Sequence, residues 1–400
     1  MKYIVVLADG MADYPIKDLK NKTPLEFAHT PNFDFLASKG TMGMVKTVPD
    51  TLLPGSDTAN LSVLGYDPEK YYSGRSPFEA ASIGIPLQLN DITFRCNVVT
   101  LSEDEPYEDK IIIDHGADEI STAEASELIM SVNDHFKNES MEFHVGVSYR
   151  HILVWHNTPM SYKLIPPHDI LERKIGPYLP SGKDSSTLLN MMKKSYDFLK
   201  DHPINLKRKA RGLRPANSIW LWGEGHKPNL SSFFEKYNIN GSVISAVDLI
   251  KGLGICSGMN IVNVVGATGN VNTNYIGKAK AALKELTSGK DFVYVHIEAP
   301  DECGHRAELD NKILAIESID KYVVKTILEE LEGEDFRIMV LPDHPTPLSI
   351  RTHTLDPVPF VIYDSTRVLD NPNVFSEKTA TETGNYIEKG YTLMDKFIWR

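Results

Sequence analysis

The chain has 400 residues, 42% of them hydrophobic and 24% charged, with a formal net charge of -12. That length exceeds what one hydrophobic core normally reaches, so two domains are expected. The acidic surplus argues against nucleic acid or an anionic membrane as the main partner. Three scattered cysteines, Cys96, Cys256 and Cys303, lack CxxC spacing and read as reduced thiols of a cytoplasmic protein. The N-terminus makes a poor signal peptide, and no run approaches the ~18 apolar residues of a spanning helix.

In chain order, "YIVVLADG" is a strand-like run that ends at Asp9-Gly10. Near-continuous apolar runs of this kind suit strands buried on both faces of a parallel sheet. "TPNFDFLASKG" opens with Thr-Pro and closes at Gly40, the start and stop chemistry of a helix. "PGSDTANLSVLGYD" follows: a Pro54-Gly55 turn, Ser56 at the N-cap, and a helix over 57–64 that Gly65 stops. A serine there holds its oxygen beside a helix N-terminus, where oxyanions are stabilised. An ordinary capping serine is the common alternative.

The stretch 88–215 changes character. "DITFRCNVVTL" and "MEFHVGVSYRHILVWH" read as short strands, separated by polar and Pro-rich connections. An inserted α+β domain is expected there, which leaves 1–87 and 216–400 as one discontinuous catalytic domain. An anionic substrate needs cations, best supplied by arginine. Arg150 and His151 lead the candidates, followed by Arg95 and by Arg208, Arg211 and Arg214 of the run "LKRKARGLRP". Arg75 and Lys278 are weaker ones.

"DFVYVHIEAPDECGH" is again a strand, now followed by Asp301 and, four residues on, His305. "NKILAIESIDKYVVKTILEEL" places Ile316, Ile319, Val323, Ile327 and Leu331 on one helical stripe. "FRIMVLPDH" ends at Asp343-His344, His353 comes soon after, and "VPFVIYD" is a further strand. Strand–helix alternation means an α/β fold with a doubly wound sheet, whose ligands sit beyond the carboxyl ends of the strands. Asp9, Asp301 and Asp343-His344 all fall at that edge. Imidazole and carboxylate suit Zn²⁺ or Mn²⁺. Two such ions about 3.5–4 Å apart can clamp an in-line phosphoryl transfer and ionise a serine hydroxyl, which Ser56 would supply. Glu302 and Cys303 read as bystanders in the turn.

Asp9-Gly10, "PGSDTAN", "APDECGH", "PDH" and "RTHT" resemble the metal-ligand set of the alkaline phosphatase superfamily. Together with "GRSPFEAASIGI", "SYRHILVW", "PANSIWLWGEG" and "ISAVDLIKGLG", they resemble the archaeal-type cofactor-independent phosphoglycerate mutases along nearly the whole chain. The resemblance implies a mostly parallel, alkaline phosphatase-like α/β sheet with an inserted domain that caps the substrate. It implies Ser56 as nucleophile, one ion on Asp301, His305 and His353, and a second on Asp9, Ser56, Asp343 and His344. The ions would be Mn or Zn, with Mg or Co as further options, and no 2,3-bisphosphoglycerate would be needed. The implied partner is a small phosphorylated substrate, with 3- and 2-phosphoglycerate interconverted. A bacterial branch of the same family is proposed as a homoserine kinase, and "LPDHPTPLSIRTHT", "YRHILVWH" and "PPHDI" resemble it as closely. Homoserine with ATP therefore stands as the alternative substrate pair, although no G-x-x-x-x-G-K-[ST] cradle is present.

Overall fold

Runs rich in Val, Ile and aromatic residues form the strands, as their branched side chains favour. In the computed structural model, which describes residues 1–158, 162–371 and 373–399, the first are β1 (Lys2–Ala8) and β2 (Thr41–Val45). Next come β3 (Asp91–Leu101), β4 (Ile112–Asp114), β5 (Met141–Val147), β6 (Arg150–His156), β7 (Tyr162–Lys163), β8 (Ser181–Gly182) and β9 (Ser218–His226). The last are β10 (Gly241–Ile244), β11 (Asn260–Val262), β12 (Phe292–Ile297), β13 (Phe336–Leu341), β14 (Val358–Asp364) and β15 (Tyr386–Ile387). The chain divides into two units, Met1–Tyr72 with Asn229–Arg400, and Ser73–Pro228.

The first unit holds an eight-stranded sheet in the order β11-β10-β12-β1-β13-β14-β2-β15. Only β14 runs against its neighbours, so the sheet is mostly parallel, as expected. β1 lies in its middle, and Ile4 to Ala8 have no exposed surface. That is why the run reads as apolar throughout rather than alternating. Ala8 pairs with Ile297 of β12 and Leu7 with Leu341 of β13. The three strands therefore end level, and whatever follows each of them meets at one edge.

The expected helical stripe is buried at Ile316, Ile319, Val323, Ile327 and Leu331, but the helix is not uniform. Leu309–Ser318 and Lys325–Glu330 are α-helical, and Ile319–Val324 between them widens to a π-helical segment. Such a bulge re-aims side chains locally. It buries Asp320, whose carboxylate accepts from Phe33 N (2.7 Å) and Asn32 Nδ2 (2.6 Å) at the start of the helix Pro31–Lys39.

A buried lysine and a half-buried glutamate brace the same unit. Lys312 has no exposed surface; its Nζ donates to Asp13 Oδ2 (2.7 Å) and to the carbonyl of Thr346 (2.9 Å). Lys312→Met would strand the Asp13 charge, so a loss of about 3–5 kcal/mol in unfolding free energy is expected by denaturant titration. Glu377 accepts from Thr23 Oγ1 (2.7 Å) and from the amide of Asp13 (3.3 Å). Burial pushes its carboxyl up to about 7. With the folded value above the unfolded one, its contribution to stability is present below the ordinary Glu range and lost as pH rises through about 7. Glu377→Gln should flatten that decline in melting temperature, and an unchanged pH profile would count against it.

The second unit pairs its strands in the order β4-β3-β6-β5, with β9 also on β3, all antiparallel. The helices Thr122–Phe136 and Ser185–Leu199 complete an α+β arrangement, with Phe94, Val98, Leu128, Leu153 and Trp220 in its core. This unit takes in the 88–215 stretch together with the helix Ser76–Ser82 and β9. β9 belongs to it because it hydrogen-bonds along β3 from Ile92 to Val99.

Candidate active site

Asp9 follows β1, Asp301 lies in the helix Ala299–Arg306 just after β12, and Asp343 and His344 follow β13. Gly10 turns with φ +62°, and a Cβ there would lie 2.6 Å from both Asp301 Oδ1 and Thr346 Oγ1. Only glycine lets these loops close together.

Two groups of ligand atoms form, each with its members within 4.8 Å of one another: Asp301, His305 and His353, and Asp9, Asp301 and His344. In the first, Asp301 Oδ2 lies 3.3 Å from His305 Nε2, and Oδ1 lies 3.5 Å from His353 Nε2. His305 Nδ1 is 3.0 Å from the carbonyl of Arg351, and His353 Nδ1 is 3.3 Å from that of Pro54. Carbonyls only accept, so both Nδ1 atoms carry hydrogen and both Nε2 atoms present lone pairs. Those two Nε2 atoms are 3.0 Å apart, an arrangement that calls for a proton or a cation between them.

The second group is more deeply buried. His344 Nδ1 is 3.3 Å from Thr346 Oγ1, which itself donates to Asp301 Oδ1. His344 Nε2 is thus left 3.6 Å from Asp9 Oδ1 and 3.5 Å from Asp343 Oδ2. Asp9 Oδ1 is buried with no hydrogen-bond partner among the described residues. Asp343, expected beside Asp9 and His344, is anchored by the amides of Gly10 (3.2 Å) and His344 (2.9 Å) and by Asn60 Nδ2 (2.8 Å).

Electrostatics follow from this crowding. Burial, then the carboxylates of Asp343 and Asp301, push Asp9 well above the usual range. Burial would raise Asp301 too, but His305 and His353 outweigh it and hold its carboxyl well below that range. Burial opposes protonation of His305, yet the Asp301 carboxylate wins and raises it to about 9. Burial lowers His344. Three gathered carboxylates, three inward lone pairs and an orphaned buried oxygen fit divalent cations.

Ser56 differs from its expected place by one position. It is the first residue of the helix Ser56–Val63, and Gly55, with extended backbone (φ 178°), occupies the N-cap. Its hydroxyl is not spent on capping and lies 3.2 Å from His344 Nε2.

Several neighbours escaped the sequence reading. Asn60, one turn after Ser56, donates to the carbonyl of Ser56 (2.8 Å) and accepts from Tyr294 Oη (2.5 Å). His296 reaches Asp9 Oδ2 at 2.9 Å. The i,i+4 spacing of Ser56 and Asn60, and the alternation of Tyr294 and His296 along one face of β12, were the available signals.

Lys278, expected at the substrate, is corrected: it is fully buried and donates to the carbonyl of His296 (3.0 Å), with burial lowering it to about 8. Within the second unit, Arg211 Nη1 donates to Glu124 (3.0 Å) and Arg214 Nη1 to Asp114 (2.7 Å). Arg208 is buried, against Glu124 and two carbonyls. His151 is buried; Nδ1 accepts from Gly146 N (3.1 Å), Nε2 finds no partner among the described residues, and burial lowers it to about 3. Arg95 stacks on Trp222 at 4.1 Å, with Nε 2.8 Å from Glu79 Oε2 but out of hydrogen-bond alignment. Arg75 pairs with the same Glu79 at 2.9 Å, and Arg150 is exposed beside the Tyr149 ring. Glu302 pairs with Arg306 at 2.7 Å. Cys303 is buried, its thiol pushed up to about 11.

A family model described as 2,3-bisphosphoglycerate-independent phosphoglycerate mutase matches residues 37–205. A protein of that name from Methanosarcina mazei is 47% identical over 383 residues, 95% of each chain. A solved structure of a Pyrococcus horikoshii protein superposes with a TM-score of 0.82 at 30% identity, covering 99% of this chain and 96% of that one. A cofactor-independent phosphoglycerate mutase from Thermoplasma acidophilum gives 0.64 at 27% identity, covering 100% and 99%. With near-complete coverage at such identity, the chain belongs to the family of 2,3-bisphosphoglycerate-independent phosphoglycerate mutases.

Proposed function

We propose that the protein interconverts 3-phosphoglycerate and 2-phosphoglycerate by phosphoryl transfer through a phosphoserine at Ser56. The observation that carries it is the Ser56 hydroxyl, free of capping duty, 3.2 Å from His344 beside two ligand groups that share Asp301. Asp301, His305 and His353 would hold one divalent ion, and Asp9, His344 and Ser56, with Asp301 shared and Asp343 adjoining, the other. Bound there, the ions supply charge that polarises the phosphoryl oxygens and eases ionisation of the serine. The nitrogen and carboxylate donors suit Mn or Zn, with Mg or Co as the remaining options.

Ser56 Oγ attacks phosphorus, the bond from phosphorus to the glycerate C3 oxygen breaks, and that oxygen takes up the proton Oγ gives up. The glycerate then reorients, its C2 hydroxyl attacks the phosphoserine, and Oγ regains a proton. Asn60 holds the carbonyl of Ser56 and so steadies the first turn that aims Oγ. Glycerate must stay bound throughout while water is excluded, or hydrolysis results. We assign that task to the second unit as a capping domain. Arg75, Arg95 and Arg150 would take the substrate's carboxylate and phosphate, with the neutral His151 next to Arg150 as a support. A cytoplasmic location is the natural setting for three cysteines that lack disulfide or CxxC spacing.

The related proteins give the homoserine kinase alternative no support. A paired assay decides: 3-phosphoglycerate with Mn²⁺ and no 2,3-bisphosphoglycerate, beside homoserine with ATP. Formation of 2-phosphoglycerate in the first is expected; its absence, with O-phosphohomoserine in the second, overturns the assignment.

A further inference from the structure

Behind Asp9 runs a chain of hydrogen bonds that phosphoryl transfer at Ser56 does not itself use. The amide of Val247 donates to Ser245 Oγ at 3.0 Å, and Ser245 Oγ lies 3.1 Å from His296 Nδ1. His296 Nε2 lies 2.9 Å from Asp9 Oδ2. All three side chains are buried: Ser245 is 3% exposed, His296 0% and Asp9 2%.

Its ends dictate its polarity. Once a bound cation keeps Asp9 ionised, its carboxylate only accepts, so His296 Nε2 carries hydrogen and Nδ1 of the neutral ring accepts. The Ser245 hydroxyl must then donate to Nδ1 while its oxygen accepts from Val247. The backbone is fixed as well. His296 pairs with Leu7 in the sheet, and its carbonyl receives Lys278 Nζ at 3.0 Å.

A carboxylate torsion is soft and two-fold, so without such a partner either oxygen of Asp9 could turn inward. With Oδ2 held by His296, Oδ1 is left buried with no partner among the described residues, 3.6 Å from His344 Nε2. We infer that Ser245 and His296 are positioning residues that fix which oxygen of Asp9 meets a divalent ion. They touch neither substrate nor ion and act through Asp9 alone. Supports of this kind orient a ligand and commonly change metal affinity by about 10–100-fold.

The inference rests on the two-ion proposal, and one experiment separates the two. Metal-free protein is titrated calorimetrically with Mn²⁺, wild type beside Ser245→Ala, His296→Leu and His296→Gln. In His296→Leu, one of two sites should weaken by about 10–100-fold while the other holds, with a smaller loss in Ser245→Ala. His296→Gln, whose amide can place an N–H near the position of Nε2, should recover much of the affinity. The Mn²⁺ needed for half-maximal turnover should rise in step, with kcat at saturating Mn²⁺ within about fivefold of wild type. Wild-type affinity at both sites in Ser245→Ala and His296→Leu overturns the assignment, as does equal weakening of both sites. Should His296→Leu fail to fold, Ser245→Ala decides alone. A wild type that binds fewer than two ions overturns the two-ion proposal and this role with it.

Discussion

Ser56→Ala is expected to reduce turnover of 3-phosphoglycerate by roughly 10⁴-fold or more, because the atom that accepts the phosphoryl group is gone. Folding should survive. Ser56 does not cap its helix, and its hydroxyl makes one described contact, to His344 Nε2. Losing a hydrogen bond of that kind costs about 1 kcal/mol. The melting temperature should therefore move by only a few degrees, about what 1 kcal/mol does. Mass spectrometry of wild type quenched during turnover should find phosphate on Ser56. A variant that still turns over at an appreciable rate would remove the phosphoserine route.

The second large effect is expected at Asp301. Its carboxylate belongs to both ligand groups, facing His305 and His353 with Thr346 donating to it. Asp301→Asn removes a charge from both at once. Both ions should be lost under limiting metal, each affinity falling by more than the roughly 10–100-fold that a supporting hydrogen bond is worth. Activity falls with them. His305→Ala, by contrast, should empty one site and leave the other. Metal content measured after gel filtration separates the cases. One ion retained at wild-type affinity in Asp301→Asn would show that the two groups do not share this residue.

How much of this was legible depends on distance along the chain. Asp9, Asp301 and Asp343-His344 could be found because parallel strands point their carboxyl ends one way, and apolar runs announce where each strand stops. His305 could be found from its spacing to Asp301. His296 could not: inside "DFVYVHI" it looks like another core position, and only the register of β12 against β1 brings it to Asp9. Lys278, a weaker substrate candidate, was no easier to place: the carbonyl that accepts from it belongs to His296 on β12, a partner its own stretch does not reveal. Ser56 shifted by one position because Gly55 took an extended backbone at the cap, a local choice that a Ser-Asp-Thr sequence does not dictate. The second unit's inclusion of β9 was hidden likewise, since β3–β9 pairing spans most of that unit.

The central place of β1 also bears on how the protein is made. Tyr3 is synthesised long before its strand partners, Phe292 and Arg337. At about 5–20 residues per second, β1 waits roughly 15–60 s for its first neighbour. Throughout that interval a largely apolar strand has both backbone edges unpaired, the condition that favours sticking to another nascent chain. The residues of the second unit are synthesised inside the same interval, with a hydrophobic core of their own. Chains that stop before β12 should therefore aggregate through an unpaired β1 even when that second core has formed, and synthesis should lean on chaperones that shield β1.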